Sequence, residues 1–171
     1  AGTIILNGVE LSKLRHEADW DRLRLQMGYL FQGSALYDSM TVGENIAFPL
    51  VHHRRLTPSR INQIVKEKLA LVGLKDIENL ETSALSGGMQ RRVALARTLA
   101  LDPHIIIYDE PTTGLDPITS DGIAHLIRDL QQSLEVTSIL VTHDIRTAKF
   151  VGDRLAMLYD GKIVFVGTCQ E

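Results

Sequence analysis

Apolar residues recur along this chain in two rhythms: short continuous runs closed by turn residues, and longer stretches in which they return every three or four positions. The helical rhythm is clear from Thr57, where Ile61, Ile64, Val65, Leu69 and Val72 share one face. Thr57 supplies an N-cap, Pro58 fits the first turn without losing a bonded N–H, and Gly73 stops the helix. A second helix opens at Ser86-Gly87-Gly88 and continues from Val93 to Leu101, ahead of Pro103. A third begins at Asp116-Pro117, with Asp116 as cap, and carries Ile123, Leu126, Ile127, Leu130 and Leu134.

The short runs read as strands. Met27 to Phe31 ends on Gln32, Ile105 to Tyr108 reads as buried on both faces and ends on Asp109-Glu110, and Thr137 to Val141 ends on Thr142-His143. Arg154 to Tyr159 and Lys162 to Val166 flank Asp160-Gly161, a pair suited to the positive φ angles of a tight hairpin. Strands alternating with helices predict an α/β fold built on a mostly parallel sheet. The chain opens on Thr3-Ile4-Ile5-Leu6 and the turn pair Asn7-Gly8, which reads as the middle of a domain, so a further N-terminal part is expected ahead of it.

Composition narrows the field. With 171 residues, 44% of them hydrophobic, a single domain can bury a sizeable core. A formal net charge of −3 gives no reason to expect nucleic acid. The basic clusters His53-Arg54-Arg55 and Arg91-Arg92 read as solvated helix faces or contacts to an acidic partner. One cysteine, Cys169, rules out an internal disulfide and fits a reducing compartment. No apolar stretch approaches the roughly 18 residues that a bilayer span needs.

Each candidate for chemistry also has an ordinary reading. Leu85-Ser86-Gly87-Gly88 alone is a helix start in which Ser86 caps; it is equally an anion site, with free N–H groups, a hydroxyl and no Cβ bulk. Asp109 and Glu110 alone are solvated strand-end carboxylates, His143 an ordinary surface histidine, and Asp116 a helix cap. Met89, a thioether, has no donor for a ribose or phosphate. The histidines at 16, 52, 53, 104 and 125 receive no role.

In their order, Gln32, Leu85-Ser86-Gly87-Gly88, Ile105-Ile106-Ile107-Tyr108-Asp109-Glu110, Gly114-Leu115-Asp116-Pro117 and Thr142-His143 resemble the motifs of an ABC-type ATPase nucleotide-binding domain. The resemblance implies a P-loop NTPase-like domain with a helical signature-motif subdomain at about residues 33–100, the whole of 1–171 being one partial, N-terminally truncated domain. It implies ATP and Mg²⁺, with Asp109 and the Q-loop residue Gln32 on the metal and Glu110 as general base. His143 would hydrogen-bond the γ-phosphate, while Ser86, Gly87 and Gly88 would close on ATP held by a second ATPase subunit. Asp116 belongs to the D-loop that couples the two sites. The family's phosphate loop, G-x-x-x-x-G-K-[ST], is not found in these 171 residues: at the one Gly-Lys pair, Gly161-Lys162, Ile163 follows and Ala156 stands at the first glycine. The chain alone is therefore expected not to hydrolyse ATP, and to show altered oligomerisation or local repacking.

The stretch Gly33-Ser34-Ala35-Leu36-Tyr37-Asp38-Ser39-Met40-Thr41-Val42-Gly43-Glu44-Asn45-Ile46-Ala47-Phe48-Pro49-Leu50 is similar to the ATPases of Mla-type phospholipid transporters. That similarity implies lipid transport, a cytoplasmic subunit on the inner face of the membrane, and permease subunits docking near Leu36 to Glu44. The alternatives are a soluble ABC ATPase without a permease, against which the lack of a coiled-coil insertion weighs, and a non-hydrolytic interaction piece.

Overall fold

The computed structural model describes residues 2–169. Three strands, β3 (Met27–Leu30), β4 (Ile105–Asp109) and β5 (Thr137–Val141), form a parallel sheet in the order β3-β4-β5. Leu30 lies beside Tyr108 and Tyr108 beside Leu140, so the three strands end nearly level at their carboxyl edge. Two antiparallel hairpins sit outside this sheet, so the parallel character belongs to the central strands. One is β1 (Ile5–Leu6) with β2 (Val9–Glu10); the other is β6 (Arg154–Tyr159) with β7 (Lys162–Thr168). Asp160 and Gly161 turn the second hairpin at φ +47° and +70°, as the residue pair predicts.

Helices fill the connections. α1 (Glu17–Arg24) precedes β3; α2 (Val42–His53), α3 (Pro58–Leu71) and α4 (Gly87–Thr98) lie between β3 and β4; α5 (Pro117–Leu134) joins β4 to β5; α6 (Ile145–Val151) follows β5. The caps read from the sequence are in place: the Thr57 side chain accepts from the Arg60 N–H and Asp116 from the Ile118 and Thr119 N–H groups. α4 ends at Thr98, three residues before the expected Leu101, with Leu99 closing it. α2 was not expected, because Pro49 stands inside it and breaks the helical pattern. Its start is nonetheless written in the chain: Thr41 accepts from the Glu44 N–H at 3.2 Å and the Glu44 carboxylate accepts from the Thr41 N–H at 2.8 Å, a capping box.

The core runs through α2 to α5 and one face of the sheet, from Val42, Ile46 and Leu50 through Val65, Leu69 and Val93 to Ile106, Tyr108, Ile123 and Ile127. The opposite face of the sheet is open among the described residues: Tyr29, Ile139 and Val141 are 42%, 47% and 51% exposed. Parallel sheets are normally covered on both faces, so this apolar surface is unusual for its type. Buried Asn45 pins the segment before α2. Its amide donates to the Tyr37, Met40 and Thr41 carbonyls at 3.0–3.2 Å and accepts from the Tyr37 N–H at 2.8 Å.

The expectation of solvated arginines fails on α4. Arg91 is 4% exposed and spends its guanidinium on two carbonyls, while Arg92 donates to the Val72 carbonyl at 2.7 Å. Both face inward because α4 is packed against α3 on one side and β3 and α5 on the others.

Candidate functional site

β4 and β5 lie in register with Asp109 beside Val141, and this brings the two strand ends together. Glu110, the residue after β4, takes a left-handed backbone at φ +47°, and its N–H donates to the Val141 carbonyl at 2.9 Å. That turn aims its carboxylate at the segment following β5. Oε1 accepts from the His143 backbone N–H at 3.0 Å and from His143 Nδ1 at 2.9 Å; Nδ1 is the donor, since an ionised carboxylate only accepts. Oε2 accepts from the Thr113 hydroxyl at 2.9 Å and the Thr142 hydroxyl at 3.4 Å.

The electrostatics follow from these contacts. Burial pushes the Glu110 carboxyl up, but hydrogen bonds from His143 and Thr113 and the imidazolium charge outweigh it and leave the group below its usual 4.5. The hydrogen bond to Glu110, its charge and that of Asp144 lift His143 above the usual 6.5 against a small opposing burial effect. Glu110 is the sheltered member, with 18% of its side chain exposed against 79% for His143.

Asp109 is half-buried one residue earlier, and its Oδ2 accepts from the Tyr29 hydroxyl at 3.0 Å. That contact raises the tyrosine above its usual 10. No group of three or more metal-ligating side chains occurs among the described residues. A lone strand-end carboxylate still fits Mg²⁺, which commonly takes one or two carboxylates and completes its shell with water and substrate phosphates. Gln32 is exposed just beyond β3, and its side chain has no hydrogen bond among the described residues.

Ser86 caps α4, accepting from the Met89 N–H at 3.3 Å, and stays exposed. Gly87 and Gly88 open the helix against α5. A Cβ on Gly88 would lie 2.6 Å from Thr119 Cγ2, so this glycine serves the packing of two helix starts as well as any ligand approach. Asp116 Oδ1 accepts from the Ile118 and Thr119 N–H groups at 3.1 and 3.0 Å, and the Thr119 side chain foremost, with these N–H groups, holds its carboxyl low.

The candidates thus fall into two groups. Asp109, Glu110 and His143 meet at the carboxyl edge of the sheet; Ser86, Gly87, Gly88 and Asp116 meet at the starts of α4 and α5. No hydrogen bond or ion pair among the described residues joins the groups, and Gln32 belongs to neither. Tyr29, Thr113 and Arg91, which touch these residues or the turns that carry them, were not singled out as site residues in the sequence, and Thr142 was quoted with His143 but given no role. Thr113 had a visible signal, lying three residues after Glu110 where a hydroxyl can turn back on it. Tyr29 had none, since its partner is 80 residues away.

Residues 1–113 match the family described as ABC transporter. The chain is 41% identical over 170 residues to the intermembrane phospholipid transport system ATP-binding protein MlaF of Haemophilus influenzae, covering 99% of this chain and 64% of that protein. It is also 41% identical over 166 residues to the probable ribonucleotide transport ATP-binding protein mkl of Mycobacterium bovis, covering 97% of this chain and 46% of that protein. It therefore spans less than two thirds of the length of either relative. Among solved structures, the ATP-binding cassette MJ0796, in a dimeric post-hydrolysis state bound to ADP and Pi, superposes with a TM-score of 0.85 at 31% identity, over 99% of this chain and 74% of that one. The sequence match, the identities and the fold agree with the ordered motifs: the chain belongs to the ABC transporter family.

Proposed function

We propose that this chain is the part of an ATP-hydrolysing ABC transporter subunit that carries the water-activating carboxylate and the signature helix, and that the transporter moves phospholipid between membranes. The observation that carries the reading is the Glu110 carboxylate held on both oxygens, 2.9 Å from His143, directly after the acidic strand end Asp109. A base fixed in one orientation can accept a proton from an attacking water; Asp109 would hold Mg²⁺, with Gln32, exposed just beyond β3, as the second ligand. The metal, when bound, neutralises phosphate charge. His143 would leave its contact with Glu110 far enough to reach a γ-phosphate, and its high exposure leaves room for that movement.

Ser86, Gly87 and Gly88 would serve the nucleotide of a second ATPase subunit; no hydrogen bond among the described residues ties them to this chain's own carboxylates. Asp116 would fix the D-loop between the two sites. The segment Leu36 to Glu44, held by Asn45, would dock permease subunits, which places the protein peripherally on the cytoplasmic face of the inner membrane. The MlaF similarity supports lipid as cargo, and the formal net charge of −3 gives no reason to expect nucleic acid.

The test is Mg²⁺-ATP hydrolysis by the 171-residue chain beside a version extended with the family's phosphate loop. The extended chain should turn over ATP, Glu110→Gln should lower its rate on the order of 10²–10⁴-fold, and the short chain should be silent. Undiminished turnover in Glu110→Gln would remove Glu110 from the chemistry. Turnover by the short chain would show that another phosphate site exists within these residues. Silence from both chains would contradict the hydrolytic reading and favour the interaction piece.

A further inference from the structure

Arg91 is the least expected side chain in the molecule. It sits in the second turn of α4, 4% exposed, and no carboxylate among the described residues pairs with it. Burial accordingly pulls its pKa below the ordinary arginine value. A buried guanidinium without a counter-ion is costly and is kept only where its hydrogen bonds repay the desolvation. Here Nη1 donates to the Phe31 carbonyl at 2.9 Å and Nη2 to the Thr113 carbonyl at 3.3 Å, while Nε has no partner among the described residues.

The two acceptors belong to different strands' extensions. Phe31 immediately precedes Gln32 beyond β3; Thr113 lies in the turn beyond β4 and donates its hydroxyl to Glu110. A planar fork spans them, whereas an ammonium offers one point of attachment. The same helix reinforces the first attachment further along. Arg97 donates to the Ser34 and Ala35 carbonyls at 2.9 and 2.7 Å, where both residues hold left-handed backbones at φ +63° and +48°. Such strained residues persist where the surroundings over-determine them.

We propose that Arg91 is a positioning residue: from inside the signature helix, its guanidinium fixes both the backbone that presents Gln32 and the turn whose Thr113 hydroxyl orients Glu110. The catalytic meaning of this clasp rests on the hydrolytic function proposed above; the clasp itself does not. α4 thereby links the signature residues at its start to both strand ends, so a displacement of the helix is felt at Gln32 and Glu110 together.

Two measurements on Arg91→Lys and Arg91→Met test it. The first is amide hydrogen exchange in the 171-residue chain, read at Ser34, Thr113 and His143, whose N–H groups donate to the Phe31 carbonyl, the Glu110 carbonyl and the Glu110 carboxylate. Exchange there should quicken on the order of tenfold in both variants while amides in the middle of α5 keep the parent's rates. The second is steady-state turnover of the phosphate-loop-extended chain, where kcat should fall by up to about 10²-fold with KM within about twofold. Arg91→Lys guards against a Met variant that fails to fold, and it should not rescue, because it cannot hold both carbonyls. Parent-like exchange at the three amides in Arg91→Lys would overturn the proposal, as would a uniform rise throughout the chain or full rescue of kcat by lysine. If the extended parent hydrolyses no ATP, the function fails while the exchange result still decides the clasp.

Discussion

Glu110 and His143 are held by each other, and their linked titration is the sharpest residue-scale consequence. The His143 pKa is raised in the folded chain, so its contribution to stability is full below about 6.5 and is lost as pH rises through the folded value. The Glu110 pKa is lowered, so its contribution is full above 4.5 and is lost as pH falls through the folded value. The pair is therefore at full strength between pH 4.5 and 6.5. An NMR titration of the chain should put His143 above 6.5, and Glu110→Gln should bring it back toward that value; a parent pKa at or below 6.5 would show that the contact does not form in solution. Asp109, Glu110 and His143 could be read from the sequence because apolar runs mark the ends of strands. Their partners could not. Tyr29 reaches Asp109 only through the pairing of β3 with β4, and Arg91 looked solvated because a buried cation satisfied by carbonyls leaves the same basic residue in the sequence as an exposed one.

Between elements, the contact that matters most is that of α4 with α5 at their first turns. Gly88 lies so close to Thr119 that a methyl group would sit 2.6 Å from Cγ2, well inside van der Waals contact. Gly88→Ala should cost about 1–3 kcal/mol of overpacking, more than the helix propensity that alanine gains. Thr119→Ser removes the obstructing methyl, so the double variant should recover most of the loss in a denaturant-unfolding cycle. Additive losses would mean that the glycine is needed for another reason, such as access of a ligand to the helix start. At this scale α3, α5, β4, β5 and the Asp160-Gly161 hairpin were legible, each carrying a repeated period or a turn pair. α1 and α6 were not, since helices of eight and seven residues complete barely two turns of the pattern. α2 was hidden by Pro49, although its Thr41-x-x-Glu44 capping box was present.

For the molecule as a whole, the candidate residues lie in two groups, at the strand ends and at the starts of α4 and α5. Carboxylates and His143 crown the sheet, the signature residues open α4, and no hydrogen bond or ion pair among the described residues connects them. The open sheet face formed by Tyr29, Ile139 and Val141 is an apolar surface that the described residues leave uncovered. The family's order of motifs was legible because it is local in sequence. The division of those motifs into two places was not, since it depends on how α4 crosses the sheet. It supports the proposal that each nucleotide is served by the carboxylates of one copy and the signature of another. Mixing decides it most directly: two phosphate-loop-extended variants, Ser86→Arg and Glu110→Gln, are assayed for ATP turnover separately and after exchange of subunits. Each alone should be nearly silent, and the mixture should regain turnover, because the mixed dimer contains one site with an intact Glu110 facing an intact Ser86. A mixture as silent as its parents, beside an active unmutated control and with mixed dimers confirmed by mass, would contradict the account.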